Sequence, residues 1–203
     1  MPKLTEFFFA TGNDHKIEEA KAAVSQFGIG IKKMDEFRKV EIQHPDLSEI
    51  ASSALAVIVS QTDKPVFVED SGLFVHQLNG FPGPYSSFTF ETLGIDGILK
   101  LLEDSKSRKA EFRSAVAFGM NGKLLANFTS ATEGTIQMQP RGKNGFGFDP
   151  IFVPMWTSKT FAEMELKEKT IYSHRAKAIS KLALWYLNES KTNSELQLKA
   201  GNL

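Results

Sequence analysis

Apolar residues in the first part of the chain alternate between two spacings, one typical of strands and one typical of helices. Residues 7–10 form a short apolar run, and residues 17–27 then carry apolar side chains at helical spacing. The same order returns with a second strand at residues 29–33, a helix at residues 47–61 and a third strand at residues 66–68. Such alternation of strands and helices is typical of an α/β fold.

The second half of the chain favours hairpins instead. A helix predicted over residues 89–103 precedes an alternating strand over residues 110–120. Residues 121–122 are Asn-Gly, which favours a type I′ turn, and the chain returns as a strand over residues 123–132. Residues 133–134 predict a further turn into another strand. We therefore expect antiparallel strands to extend the sheet.

Chain length and the last helix define the expected domain organisation. The 203 residues fit one domain better than two. We predict a single domain over residues 1–190, whose last helix begins after Ser173, a favourable N-cap residue. We expect a frayed polar tail over residues 191–203.

The charge balance and the lack of cysteine exclude several classes of protein. There are 24 Lys and Arg residues and 24 Asp and Glu residues, so the chain lacks the overall basic field that attracts nucleic acid or anionic membranes. Without cysteine it forms no disulfide, thiolate zinc site or cysteine nucleophile. The apolar run near residue 7 is too short for a signal peptide, and no run of about 18 apolar residues exists. We expect a cytoplasmic protein that binds neither nucleic acid nor membrane.

Two adjacent carboxylates follow the third predicted strand. Glu69 and Asp70 come directly after residues 66–68 and before a Ser-Gly pair, where the strand is expected to end. In α/β folds ligands bind beyond the carboxyl ends of strands, so both acids are candidate metal ligands or bases. Solvated charges at a strand end are the alternative. Glu41, in the loop after the second predicted strand, is a further exposed acid.

The turn after the first strand is rich in groups that hold anions. Thr11, Gly12, Asn13 and Lys16 offer a hydroxyl, backbone N–H groups, an amide and a cation. The start of the following helix adds the positive end of its dipole. The stretch lacks the GxxxxGK[ST] pattern of a P-loop, and an ordinary N-cap turn is an equally good interpretation.

A glycine-rich loop at residues 141–154 carries two aromatic residues next to an acid. Phe146 and Phe148 lie close to Asp149 in this loop. Aromatic rings so placed can stack on a nucleobase, an interaction worth about 1–3 kcal/mol per base. The two rings can equally anchor a hairpin in the core.

The first turn of the last helix contains two potential cations. His174 and Arg175 follow the N-cap, where positive charge opposes the helix dipole, and Lys169 lies just upstream. This placement is unfavourable unless an anion lies close by. We therefore interpret the three residues as an anion site.

Five motifs together resemble those of the inosine triphosphate pyrophosphatase family, the HAM1-like XTP/dITP pyrophosphatases. They are TGNDHK at 11–16, VEDSGL at 68–73, GFPGPYS at 80–86, GFGFDPIF at 145–152 and EKTIYSHRAKA at 168–178. They occur in the family's order and span most of the chain. The Ser-Ser version of the PGPYSSF segment resembles archaeal members most.

The resemblance implies an elongated mixed α/β fold, with a central sheet flanked by helices, two lobes, a cleft between them and a homodimeric assembly. It implies Mg²⁺-dependent hydrolysis of purine nucleoside triphosphates between the α and β phosphates. ITP, dITP and XTP would yield the monophosphate and pyrophosphate, which clears deaminated nucleotides from the pool. A triphosphate carries about four negative charges. One Mg²⁺ offsets half of them, and Lys16, Lys169 and Arg175 could offset most of the rest.

The resemblance also implies residue roles. Glu41 and Asp70 would bind Mg²⁺, and the catalytic residues would be Asp70, Glu69 and Lys16. Asp70 is the residue that we expect to position or deprotonate the attacking water, although the division between base and metal ligand stays open. The substrate-binding residues would be Thr11, Gly12, Asn13, Lys16, Ser71, Phe146, Phe148, Asp149, Lys169, His174 and Arg175.

Two alternative functions remain open at this point. One is a related house-cleaning pyrophosphatase with a different base preference, which the complete FGFDP and SHR motifs disfavour. The other is a nucleotide-binding protein without catalysis.

Selectivity among purine bases would depend on hydrogen-bond donors of the protein. Donors directed at the 6-oxo group of the base would reject adenine. Guanine shares that group, and its rejection would depend on the 2-amino position.

Overall fold

A computed structural model of the chain describes residues 5–34, 37 and 40–200, with side chains described up to residue 190. These residues contain seven strands and six helices. Their bounds are β1 Thr5–Phe9, α1 Asp14–Val24, β2 Ile29–Lys33, α2 Leu47–Val59, β3 Val66–Val75, β4 Pro82–Gly83, α3 Ser86–Thr92, α4 Gly94–Leu101, β5 Lys109–Met120, β6 Lys123–Ile136, β7 Phe152–Pro154, α5 Leu166–Tyr172 and α6 His174–Ala200.

All seven strands join one mixed sheet. Its strand order is β2-β1-β3-β5-β6-β7, and β4 pairs with β3 beside this path. β1 runs parallel to β2 and β3, whereas the β3-β5, β5-β6 and β6-β7 pairs are antiparallel. The predicted α/β class and the antiparallel extension are therefore confirmed.

Helices cover both faces of this sheet and divide the core into three parts. α1 and α6 pack on one face around Phe7 and Phe118, and α2 packs on the other around Leu55 and Val68. A third cluster, built around Phe152, lies towards the other end of the sheet and includes residues of α4 and β7. No helix in the described part of the chain is both long enough and apolar enough to span a membrane.

The central strand is longer than its sequence predicted. β3 was expected to end at Glu69, but all ten of its residues pair with β5. Gly72 allows the β4 segment to approach this strand closely, since a Cβ there would lie 2.1 Å from the carbonyl oxygen of Gly83. Because successive side chains of a strand point to opposite faces, Glu69 and Asp70 are directed to different sides of the sheet.

One edge of β3 is open in the middle of the strand. β1 pairs with Val66 and Phe67, and β4 pairs with Leu73 and Phe74. Residues 68–72 lie between these two pairings and have a strand neighbour, β5, on the other side. This opening lies just beyond the carboxyl end of β1, where ligands bind in α/β folds.

Two further predictions about the second half were wrong. The expected helix over residues 89–103 is divided into α3 and α4, because Gly94 takes a left-handed conformation with φ of 65°. The expected turn at residues 133–134 is a continuous part of β6. Gly134 is needed there for close packing, since a Cβ would lie 2.3 Å from the carbonyl oxygen of Val153.

Local turn and cap signals were more accurate. Asn121 and Gly122 have φ of 54° and 73° and connect β5 to β6, as the Asn-Gly pair predicted. The loop before α3 contains β4, which pairs with β3 at Leu73 and Phe74. α6 continues to Ala200, past residue 190, where a frayed tail was expected.

Candidate functional site

A cavity of about 610 Å³ occupies the opening at the edge of β3. Its volume lies in the range of small-molecule sites. The cavity receives residues from the turn after β1, from β3, from the loop after β6 and from the start of α6. Twelve predicted site residues line it: Thr11, Gly12, Asn13, Lys16, Glu41, Asp70, Ser71, Phe146, Phe148, Asp149, His174 and Arg175.

The turn after β1 is an N-cap turn as well as a wall of the cleft. The Asn13 Oδ1 atom accepts a hydrogen bond from the Lys16 backbone N–H at 3.2 Å, and the Thr11 Oγ1 atom accepts one from the Asn13 N–H at 3.2 Å. The cap interpretation is therefore confirmed. The same turn brings the N-terminus of α1 to the cavity, where the helix dipole favours an anion.

Glu69 lies behind the wall of the cleft. Its carboxylate pairs with the Lys16 Nζ atom at 2.9 Å and with the Arg175 Nε atom at 3.0 Å, and it accepts a hydrogen bond from the Ser114 hydroxyl at 2.8 Å. Burial alone would raise the pKa of Glu69, but Arg175 and Lys16 hold it below its usual range. Glu69 is thus a buried, ionised partner of two cations.

Asp70 points to the cleft together with Glu41. Asp70 is half-buried in β3, Glu41 is exposed in the loop after β2, and both also line an adjoining cavity of about 470 Å³. The described residues contain no group of three or more His, Asp or Glu side chains arranged to hold a metal. Two carboxylates nevertheless suit Mg²⁺, which keeps several waters and takes further ligands from substrate phosphates.

Behind the wall of the cleft that contains Asp149 and Arg175 lies an ion-pair network that includes Glu19, a residue the sequence analysis did not single out. Buried Glu19 on α1 pairs with Lys169 at 2.5 Å and with Arg175, and Lys169 also pairs with Asp149 at 2.6 Å. Burial alone would raise the pKa of Glu19, but Arg175 and Lys169 lower it to about 2. Glu19 lies three residues after Lys16, on the same side of α1. This spacing is the feature of the sequence that could have indicated Glu19 as a site residue.

These contacts change the expected charge balance. Three cations, Lys16, Lys169 and Arg175, are paired with three carboxylates, Glu19, Glu69 and Asp149. The anion that Arg175 needs in the first turn of α6 is therefore supplied by the protein itself. Lys169 and Arg175 already offset carboxylates of the protein, so their charges can no longer be counted in full against those of a triphosphate.

The two aromatic residues of the glycine-rich loop differ in their surroundings. Phe148 is 3% exposed and belongs to the third core cluster, with its ring 5.4 Å from that of Phe90 and nearly perpendicular to it. Phe148 is therefore a core anchor that also borders the cleft. Phe146 is half-buried and its backbone N–H donates to the Asp149 carboxylate at 2.9 Å.

His174 is a buried polar side chain at the wall of the cleft. Its ring stacks on Phe112, with centroids 4.8 Å apart and planes at 7°. The ring is 3% exposed, and neither of its nitrogens has a hydrogen-bond partner among the described residues. Burial, helped by the charge of Arg175, lowers the pKa of His174 well below 6.5. The ring is therefore neutral and offers one donor and one acceptor.

The profile of the Ham1 family matches residues 7–185. The chain belongs to the Ham1 family. Members related to it include a protein named dITP/XTP pyrophosphatase from Methanopyrus kandleri, 47% identical over 180 residues that cover 89% of this chain and 95% of the relative. A protein of the same name from Saccharolobus solfataricus is 44% identical and covers 91% of this chain and 94% of the relative. The family predicted from the five motifs is confirmed.

Solved structures of the Ham1 family have the same fold. A HAM1 protein from Coxiella burnetii superposes with a TM-score of 0.77 at 31% identity, covering 91% of this chain and 99% of that chain. A nucleoside-triphosphatase/dITP/XTP pyrophosphatase from Mycobacterium abscessus gives a TM-score of 0.67 at 30% identity, covering 88% and 98% of the two chains. The predicted mixed fold with a cleft is thus the fold of the family.

The buried groups of this Ham1 protein predict two stages of acid destabilisation. The lowered pKa of His174 means that the unfolded chain binds a proton below about pH 6.5 that the folded chain does not, so stability falls as pH falls. The lowered pKa values of Glu19 and Glu69 add a second loss below about pH 4.5, which continues towards pH 2 for Glu19. Asp149, whose pKa burial raises, acts in the opposite sense.

Urea unfolding at a series of pH values measures this dependence. We expect the free energy of unfolding to fall by up to about 1.4 kcal/mol per pH unit for each group that titrates in this way. His174→Gln should remove the first stage and leave the second. A free energy of unfolding that is constant between pH 7.5 and 5.5 in the unaltered protein would contradict the assignment of a buried neutral His174.

Proposed function

We propose that this protein hydrolyses deaminated purine nucleoside triphosphates, namely ITP, dITP and XTP, to the monophosphate and pyrophosphate. Membership of the Ham1 family and the name dITP/XTP pyrophosphatase of its relatives support this function. The observation that carries the proposal is the lining of a single cleft. The same space is lined by an N-cap turn suited to phosphate, by two carboxylates suited to a divalent ion and by the buried His174. The ring nitrogens of His174 have no hydrogen-bond partner in the part of the chain that the structure describes.

Mg²⁺ would be held by Glu41 and Asp70. The two side chains line the same cavity, and hard carboxylate oxygens are the donors that this ion prefers. When bound, Mg²⁺ would neutralise phosphate charge and make the α-phosphorus more susceptible to attack. Because two protein ligands leave most of its coordination sites open, the substrate phosphates would fill part of the remainder.

The residues of the phosphate end would orient the triphosphate. The first turn of α1 would direct backbone N–H groups and the Lys16 ammonium group at the phosphates, with Glu69 holding Lys16 in place at 2.9 Å. The Ser71 hydroxyl accepts a hydrogen bond from Arg175 at 2.8 Å, so its own proton is available to a phosphate or sugar oxygen. Asp70 would accept a proton from the attacking water. Glu69 is less suited to that step, since it is buried behind the wall.

The other end of the cleft would bind the base. Neutral His174 has a donor and an acceptor to offer, and the ring of Phe146 supplies a flat apolar surface. A 6-oxo base accepts hydrogen bonds where adenine has an amino group, and a buried donor left unpaired by adenine costs about 1–3 kcal/mol. Lys169 and Asp149 would support this end through their ion pair.

A product assay tests the proposed function. Purified protein with Mg²⁺ is given ITP, dITP, XTP, GTP and ATP separately, and the products are resolved by ion-exchange chromatography. We expect monophosphate and pyrophosphate from the first three substrates, with much slower turnover of ATP and GTP. Nucleoside diphosphate and inorganic phosphate, or equal rates with all five nucleotides, would overturn the proposal.

We further propose that the protein is a cytoplasmic homodimer. Large apolar side chains on α3, on α4 and between them support an interface there, since Phe88 is 66% exposed, and Leu93 and Leu101 are each 50% exposed. A cytoplasmic location agrees with a substrate drawn from the nucleotide pool. Light scattering after size-exclusion chromatography should give twice the monomer mass, and a single monomer peak at micromolar concentration would contradict the dimer.

A further inference from the structure

The ring of His15 lies against that of Phe146. The ring centroids are 5.3 Å apart and the planes differ by 14°, so the two rings are stacked. His15 belongs to the first turn of α1, one residue before Lys16. Phe146 belongs to the loop between β6 and β7. The pair therefore connects the turn proposed for the phosphates to the loop proposed for the base.

Besides the His15 ring, Phe146 has a backbone hydrogen bond and two neighbouring cations. Its backbone N–H is bonded to Asp149, while the Lys169 Nζ atom and the Arg175 guanidinium carbon each lie 5.3 Å from its ring centroid. Cation–π contacts of this kind attract the ring but define its angle loosely. The stacked His15 ring is thus a contact that constrains the plane of the ring.

His15 does not itself line the cavity, although Asn13 and Lys16 on either side of it do. Its side chain is exposed, and any effect on the substrate must pass through Phe146. We propose that His15 is a positioning residue, which holds the ring of Phe146 at the angle that packs on the purine base. This role rests on the function proposed above. It makes base binding dependent on the same helical turn that binds the phosphates.

Substitution of His15 should therefore affect substrate binding more than turnover. In His15→Ala we expect KM for dITP to rise about three- to tenfold, the factor that corresponds to the contribution of one aromatic pair, with kcat within about twofold of the unaltered enzyme. The preference for dITP over dATP, measured as the ratio of kcat/KM values, should fall by a similar factor. His15→Phe keeps a flat ring at this position and should restore KM and the preference.

Hydrogen exchange without nucleotide gives a second measurement that does not depend on activity. In His15→Ala the amides of residues 144–149 should exchange at least about threefold faster, while His15→Phe keeps the original rates. Glu18→Ala, an exposed change on the same helix, is the matched control and should alter neither KM nor exchange. If the unaltered protein hydrolyses no nucleotide, the proposed function fails and exchange alone decides the positioning role. Unchanged exchange in His15→Ala, or unchanged KM in an active enzyme, would overturn the inference.

Discussion

Asp70→Asn should reduce kcat for dITP hydrolysis by about a hundred- to ten-thousandfold, the range typical of a lost general base. Asparagine has nearly the same shape, but its amide neither takes up a proton nor supplies the charge that attracts Mg²⁺. The side chain lies in the open part of the edge of β3, where it faces the cleft together with Glu41. The fold should stay intact, because Asp70 is half-buried and the β3-β5 pairing depends on the backbone.

The measurement is the initial rate of pyrophosphate release at saturating dITP and Mg²⁺, together with the melting temperature. Glu91→Gln is a matched control, since Glu91 is an exposed carboxylate on α3 at the rim of the same cleft. This control should keep kcat within about threefold. A kcat of Asp70→Asn that equals that of the unaltered enzyme would remove Asp70 from both the metal site and the water-activating step.

Lys169→Met should destabilise the fold by about 3–5 kcal/mol, the usual result of removing one partner from a buried ion pair. Lys169 is 4% exposed and pairs with both Glu19 and Asp149. Its removal leaves Asp149 without that cation in a buried place, while Glu19 keeps Arg175. For a chain of this length the loss corresponds to a fall of about 6–20 °C in melting temperature.

The pH dependence of this loss identifies its cause. Burial already raises the pKa of Asp149, and without Lys169 beside it the carboxyl should take up a proton more readily. A group whose pKa is higher in the folded protein contributes stability that is lost as pH rises. The difference between Lys169→Met and the unaltered protein should therefore be larger at pH 8 than at pH 5.

Lys159→Met is the control for this prediction. Lys159 pairs with Glu168 at 2.8 Å on the surface, with half of its side chain exposed. Exposed pairs of this kind contribute about 0–1 kcal/mol. A destabilisation by Lys169→Met as small as that of Lys159→Met would show that the buried network does not hold the loop and α5 together.

The family, the turns and most local elements were accessible from sequence because they depend on neighbouring residues. The Asn13 cap needs a side chain three residues before an amide, and the Asn121-Gly122 turn needs two residues that tolerate positive φ. Motifs such as TGNDHK and SHRAKA are also contiguous, so they could be matched without knowledge of the fold. These local rules located twelve of the twenty residues that line the cleft, and residues such as Phe90, Glu91 and Phe112 were missed.

The arrangement of charges was decided by the tertiary structure. Two neighbouring acids look equivalent in sequence, but continuous pairing of β3 with β5 sends Glu69 to Arg175 and Lys16 on one face and Asp70 to the cleft. Glu19 joins Lys169 across 150 positions of sequence. No local pattern specifies such a contact, because it exists only when α1, α5 and α6 pack together. The sequence by itself therefore indicated most of the residues proposed to bind the substrate, because they lie in contiguous motifs. The packing of the helices on the sheet decided which carboxylates are paired in the buried network and which line the cleft.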